Sequence, residues 1–313
     1  MQASVTALAT KPAAESRILA DAGVRRSEWV ILVFLVYAAS IGRALPIAPS
    51  LQTRTVVVNL AILIVYGLLI RADAVRPRMI TSVIRDWLPL AVIILAYREV
   101  GWFALPYPGH RLEMRWVAWD RAFLRGGAKA AIESLGPVLP SILEIAYALV
   151  YALGPFCLAV LYSSGRRKDA DRFLFVFATA VLLTYAQLPL WPSEPPRTVF
   201  PGEDAPAYLT VFRRFNWWTL AGCGIHTGVF PSAHVAGAFA AAFGMRRAAA
   251  AQRRVHALLF TVAALIALAT VYGRYHYLVD AVAGLAMATL AVAFSHLLDA
   301  RRDGTIAPHR ILR

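Results

Sequence analysis

Gly222-Cys223-Gly224-Ile225-His226-Thr227-Gly228-Val229-Phe230-Pro231-Ser232-Ala233-His234 lies between two long apolar segments and carries a proline, a serine and two histidines. A second stretch, Tyr272-Gly273-Arg274-Tyr275-His276-Tyr277-Leu278-Val279-Asp280, also opens an apolar segment. Two imidazoles, a carboxylate and a guanidinium therefore stand at the mouths of segments that are otherwise almost uncharged. Ionisable groups in that setting are costly, and they mark a site or a helix-to-helix contact.

The apolar segments recur along the whole chain. Of 313 residues 59% are hydrophobic and only 16% charged, with a mean hydropathy of +0.59. A water-soluble domain of this length needs far more polar surface. The runs are 29–46, 55–70, 87–105, 138–162, 173–191, 231–245, 255–273 and 277–297. They are continuous and rich in Leu, Ala and Val, without the alternation of a membrane barrel. In lipid such runs satisfy their backbone only as helices. The expectation is an all-α, polytopic membrane bundle of about eight transmembrane helices.

The charge of +14 suggests nucleic acid only if its clustering is ignored. Arg71, Arg76, Arg78 and Arg85 separate runs two and three; Arg166, Arg167, Lys168 and Arg172 separate runs four and five. Arg246, Arg247, Arg253 and Arg254 separate runs six and seven, and Arg301 and Arg302 follow run eight. With eight spans these loops and both termini share one side, which the positive-inside rule makes the cytoplasm. The two histidine stretches then face the periplasm or cell exterior, and the expected home is a bacterial inner membrane. Residues 1–28 are polar to small and lack a cleavable signal pattern, so they read as a cytoplasmic tail.

Residues 111–129 place Arg111, Arg115, Arg121, Arg125 and Lys129 on the outer side, interleaved with Trp116, Trp119, Phe123 and Leu124. That pattern, after the breakers Pro106, Pro108 and Gly109, predicts an interfacial amphipathic helix whose basic residues meet lipid phosphates. The outer loop 192–230 is rich in proline and turn residues and holds Trp217-Trp218; long loops of this kind are often functional. The domain reading is a tail (1–28), N-terminal helices with the interfacial segment (29–137), a catalytic core (138–297) and a C-terminal tail (298–313).

His276 and Asp280 are four residues apart. A helix starting near Tyr275 puts them on one face, with the carboxylate placed to accept the Nδ1 proton and leave Nε2 as nucleophile or base. Pro231-Ser232-Ala233-His234 reads as a helix start, with the proline at the first helical position. The free N–H groups of that terminus favour an anion. Ser232 adds a hydroxyl, and His234 on the first turn can protonate a leaving oxygen. Arg197 and Arg274 lie on the same side, and guanidinium groups clamp phosphoryl oxygens. His226 either lines the site or is a loop histidine. Arg98, Glu99 and Glu144 are further intramembrane charges that pair with one another or face a polar head-group cavity. Cys157 and Cys223 fit neither a CxxC motif nor a disulfide framework. The His, His and Asp set also suits Zn²⁺ by type, but no HExxH string is present and the arginines favour an anion over a cation.

These residues resemble the type 2 phosphatidic acid phosphatase superfamily, whose motifs run KxxxxxxRP, PSGH and SRxxxxxHxxxD. The second is matched by 231–234 with Ala233 in place of Gly; the third keeps His276, Asp280 and the following Ala283-Gly284. The lysine of the first motif is missing, Arg197 alone matches its arginine, and Thr270 stands where the third motif has arginine. The wording Phe230-Pro231-Ser232-Ala233-His234 and Arg274-Tyr275-His276-Tyr277 is more similar to the inositolphosphorylceramide synthase branch, which moves a phospho-head-group between lipids. The resemblance covers residues 138–297. It implies His276 as the nucleophile of a phosphohistidine intermediate, Asp280 as its orienting carboxylate and His234 as proton donor to the leaving oxygen. It further implies Ser232, Arg197 and Arg274 as phosphoryl ligands, and no cofactor or metal. The expected partner is a membrane lipid of the phospholipid or sphingolipid class, with no nucleic acid and no obligate protein partner. A lipid-phosphate phosphatase acting on phosphatidic acid or a polyprenyl pyrophosphate is the rival reading within the enzymes. A non-catalytic transporter or assembly factor is the rival outside them. Small residues, Ala233, Gly237 and Ala241 against Gly284 and Ala288, are expected to let the two catalytic helices pack closely.

Overall fold

A computed structural model describes residues 23–103, 105 and 109–302. The expected tail over residues 1–22, the end of the C-terminal tail at 303–313, and Pro106 and Pro108 lie outside the described residues. Within them the chain is helical and contains no strand. The apolar runs become α1 (Arg26–Ala44), α2 (Pro49–Val75), α3 (Met79–Val100), α6 (Val138–Ser163), α7 (Ala170–Gln187), α10 (Ala233–Ala248), α11 (Arg253–Tyr272) and α12 (Leu278–Arg302). Between them lie α4 (Arg111–Phe123), α5 (Lys129–Glu133), α8 (Pro196–Val199) and α9 (Val211–Cys223). α1 begins inside the segment read as tail, and α12 extends past residue 297.

Six of these helices, α1, α2, α3, α6, α11 and α12, are long and apolar enough to cross a membrane. The other two apolar runs form α7, of 18 residues, and α10, of 16. Both sit at the centre of the bundle, where α10 touches α6, α7, α11 and α12. Its sequence explains the position. Ala236, Ala238, Ala240, Ala241 and Ala242 are buried with Gly237 and Gly244. Side chains this small let neighbouring helices approach on several sides. In lipid, close van der Waals packing replaces the hydrophobic drive between helices. The periphery is the reverse: α2 presents Val57, Leu60, Ile64 and Leu68 outward, as a solvent of acyl chains requires. The molecule is a helical membrane bundle.

Gly284 of α12 has a consequence for the site. A Cβ there would lie 2.5 Å from the Ser232 carbonyl oxygen, so the start of α10 rests directly on the α12 backbone. The Ser232 N–H donates to the Asp280 carbonyl at 3.0 Å and locks the same crossing. Gly237 does not join it: its Cβ position faces Val181 of α7.

The segment 111–129 is amphipathic, with Glu113, Val117, Asp120 and Leu124 turned into the protein and Arg111, Arg115 and Trp119 exposed. Its charges depart from expectation. Arg121 pairs with Glu203 and Arg125 with Glu203 and Asp204, while Lys129 donates to the Ala205 carbonyl at 2.7 Å. These three basic residues bind the loop after α8 rather than standing free for lipid phosphates. The 192–230 loop also holds more helix than its turn residues suggest. Thr210 caps α9 by accepting the Arg213 N–H at 3.1 Å, a bond worth about 1 kcal/mol.

Candidate active site

Two helix ends and the turn between them build the site. α11 closes with a Schellman motif: the Tyr275 N–H reaches the Thr270 carbonyl at 2.9 Å and the Arg274 N–H the Val271 carbonyl at 3.1 Å. The residue that must be left-handed in this motif is Arg274, at φ 62°. Glycine is the ordinary occupant, and a side chain there costs about 1–2 kcal/mol. α12 then starts at Leu278 rather than near Tyr275. Asp280 accepts the Tyr277 N–H at 2.8 Å and so caps its own helix. His276 is therefore held between two capped ends, before the helix and not on its face.

The imidazole of His276 is 7% exposed. Its Nδ1 lies 2.9 Å from the Val229 carbonyl oxygen and 3.4 Å from Asp280 Oδ2. Both neighbours are acceptors, so Nδ1 carries the proton and donates it to Val229, and Nε2 keeps its lone pair. The expected bond to Asp280 is thus replaced: the backbone carbonyl of the first stretch takes the proton, and the carboxylate stands just behind. Asp280 is fully buried, and its Oδ1 has no hydrogen-bond partner. Burial pushes His276 well below the ordinary imidazole value, and the neighbouring His234 and the Arg197 charge push the same way. The ring is neutral at neutral pH.

His234 stands opposite, with ring centroids 5.5 Å apart and planes at 60°. Its Nε2 is shielded from solvent and unpartnered. It sits on the first turn of α10, as expected. Pro231 lies one residue before the cap rather than in the first turn, and Ser232 is the cap, its Oγ accepting the Val235 N–H at 3.4 Å. That bond uses Ser232 as an acceptor and leaves its hydroxyl proton to give.

Arg197 and Arg274 meet through their backbones, the Arg197 N–H donating to the Arg274 carbonyl at 3.2 Å. Their side chains diverge. The Arg197 guanidinium lies 5.5 Å from the Tyr275 ring centroid, and its charge acts on His276. Arg274 is 1% exposed and is engaged by Asp120 of α4. Its Nε and Nη2 have no partner. The second oxygen of Asp120 accepts the Leu278 N–H at 2.8 Å, so α4 anchors both the turn and the start of α12. Burial raises the Asp120 carboxyl, against the pull of the Leu278 N–H and Arg274.

A groove of about 350 Å³ opens beside Arg197, lined by Thr198, Trp217, Leu220, Ile225 and the exposed His226. The three remaining intramembrane charges do not pair with one another. Arg98 donates to the Cys223 carbonyl at 2.6 Å, Glu99 accepts from Asn59, and Glu144 takes Arg213, Asn216 and Tyr275. Among the described residues no three His, Cys, Asp or Glu side chains are grouped to hold a metal.

Several residues here were hidden in the sequence. Asp120 reads as one charge in a basic segment, and Tyr147, which stacks on His234, as one apolar residue of a span. The available signal is spacing. Glu144 and Tyr147, and Arg213 and Asn216, are each three apart and so share a helix face.

Paired histidines, a carboxylate behind one of them and a nearby guanidinium have the chemistry to take an anionic ligand. The search of curated proteins finds no match, and neither does that of solved structures. Residues 118–294, more than half of the chain and including every site residue named above from Asp120 to Asp280, match the PAP2 superfamily. The chain belongs to that superfamily, whose activity is of the phosphatase and phosphotransferase type on lipid phosphates.

Proposed function

We propose that the protein is a membrane phosphotransferase that moves a phospho-head-group between lipids through a phosphohistidine at His276. His276 Nε2 attacks phosphorus, and the bond from phosphorus to the lipid oxygen breaks. His234, which burial and Arg197 hold below the ordinary imidazole value in the free protein, is protonated once the anionic ester is bound, gives its proton to that oxygen and releases the lipid alcohol. The neutral His234 then takes the proton of an acceptor hydroxyl, whose oxygen attacks phosphorus as the P–N bond breaks. His276 and the proton on His234 are both restored. Asp280 and the Val229 carbonyl stabilise the Nδ1 proton while the ring is charged. Arg197 and the Ser232 hydroxyl bind the phosphoryl oxygens. Arg274 holds the turn against Asp120 through Nη1 and keeps Nε and Nη2 to join them.

The observation that carries the reading is the pairing of the two rings at 5.5 Å with the Nδ1 of His276 committed to an acceptor. The branch assignment rests on the wording of 230–234 and 274–277. Water as the acceptor makes the same site a lipid-phosphate phosphatase. The arginine-rich loops lie at the opposite helix ends, which supports a site facing the periplasm or exterior, with cytoplasmic termini, in a bacterial inner membrane.

The test is purified protein with a phosphatidylinositol or phosphatidylglycerol donor and a ceramide or diacylglycerol acceptor, beside phosphatidic acid alone. A transferred head group is expected, inhibited by orthovanadate and indifferent to chelators. Phosphate release from the monoester without transfer product overturns the transferase reading in favour of the phosphatase.

A further inference from the structure

The two histidines are linked by a column of rings. Tyr147 of α6 lies flat on His234, centroids 4.6 Å apart and planes within 12°. Tyr147 also stacks on Tyr275, at 4.1 Å and 23°. Tyr275 is the covalent neighbour of His276. The column starts at the proton donor and ends one residue before the nucleophile.

Its base is fixed. The Tyr275 hydroxyl donates to Glu144 Oε2 at 2.6 Å, one turn before Tyr147 on the same helix. Glu144 in turn accepts from Arg213 at 2.8 Å and Asn216 at 2.7 Å, both on α9. Arg213 also donates to the Gly273 carbonyl at 3.1 Å, in the turn that presents His276. Tyr147 and Tyr275 are 2% and 1% exposed, so neither ring has room to tilt.

We propose that Tyr147 is a positioning residue: its ring, stacked on His234 and on Tyr275 and anchored through Glu144 and Arg213, sets the spacing and facing of the two histidines. This rests on the phosphohistidine reading above. α10 and the 273–277 turn come from distant parts of the chain. α6 supplies the rigid spacer between them. Stacking fixes a ring plane, which aliphatic packing does not. Displacing a reacting group by about 1 Å costs on the order of 10²-fold in rate.

The experiment compares Tyr147→Phe, which keeps the ring, with Tyr147→Leu, which keeps only apolar bulk. It follows transfer from phosphatidylinositol to ceramide or hydrolysis of phosphatidic acid, whichever the wild-type chain performs. The phenylalanine variant is expected within about twofold of wild type, and the leucine variant to lose on the order of 10²-fold in kcat with KM nearly unchanged. Equal kcat in the two variants, or a loss confined to KM, overturns the proposal. Where the leucine variant does not insert, Tyr275→Phe loosens the column at its base while keeping the ring. A fall of about tenfold in kcat alone is expected there, and an unchanged kcat overturns the proposal. A parallel His276→Ala sample separates the two claims: turnover surviving in it topples the phosphohistidine reading itself.

Discussion

Arg85 and His276 are both buried ionisable residues, at opposite ends of the bundle, and their surroundings differ in kind. Arg85 is 0% exposed, and every guanidinium nitrogen is used: Nε and Nη2 on Glu28, Nη1 on Asp73, and Nη2 also on the Gly23 carbonyl, all within 2.6–2.7 Å. The knot ties α1, α2 and α3 together and has nothing left to offer. Around His276 the accounts are open. His234 Nε2, Asp280 Oδ1 and two nitrogens of Arg274 are buried without partners. Burying polar groups unpaired is costly. A saturated cluster has no capacity left beyond holding the fold, whereas an unsaturated one can still take a ligand. A large cavity does not discriminate between them: one of about 440 Å³ lies at the Arg85 end, near Arg25, Asp86 and Arg167.

The comparison breaks most sharply at His276. His276→Ala should lower turnover by at least about 10⁴-fold while the chain still inserts and elutes as wild type; turnover near wild type would end the nucleophile assignment. Next in size is Arg85→Met, which strands Glu28 and Asp73 and should reduce stability by roughly 3–5 kcal/mol. Thermal melting in detergent reads this effect, and kcat per folded molecule should not change. A loss of kcat without a loss of stability would erase the distinction between the two ends. Arg197→Met should then cost on the order of 10²–10³-fold in kcat, with weaker orthovanadate inhibition. The smallest effect is on pH. Burial, His234 and Arg197 all hold His276 below the usual imidazole value of about 6.5. The nucleophile should therefore stay unprotonated, and turnover persist, below that pH. Arg197→Met removes one positive charge, so the pKa rises and the acid limb of the rate profile should move to higher pH. A limb that stays in place, or moves to lower pH, would mean Arg197 does not act on this ring.

The apolar runs foretold the long helices because, in lipid, backbone satisfaction leaves a continuous apolar run one conformation. What they concealed was the mixed segments. Val211–Cys223 carries two arginines and two tryptophans and reads as loop, yet it is α9, held by the buried Arg213 and Asn216. Both donate to Glu144, far away in the chain. His276 and Asp280 were legible as a pair by their spacing, but helical periodicity misplaced the bond between them. The Schellman turn, announced by Gly273 only in part because Arg274 takes the left-handed position, delays α12 and hands the Nδ1 proton to Val229. Arg274 was legible as a cation of the site, but not its partner Asp120, which lies within a segment read for its basic charge.

Gly284 bears on how this protein can drift. With a Cβ position 2.5 Å from the Ser232 carbonyl oxygen, the crossing of α10 and α12 has no slack. Any side chain there must lever the Ser232–His234 turn away from Asp280. The lipid-facing positions of α2 can exchange one aliphatic residue for another with little consequence. A single methyl at residue 284, on a residue that does no chemistry, acts on both helix starts of the site at once. Trp217, Leu220 and His226, which line the groove beside Arg197, lie outside this contact and are free to vary without moving it.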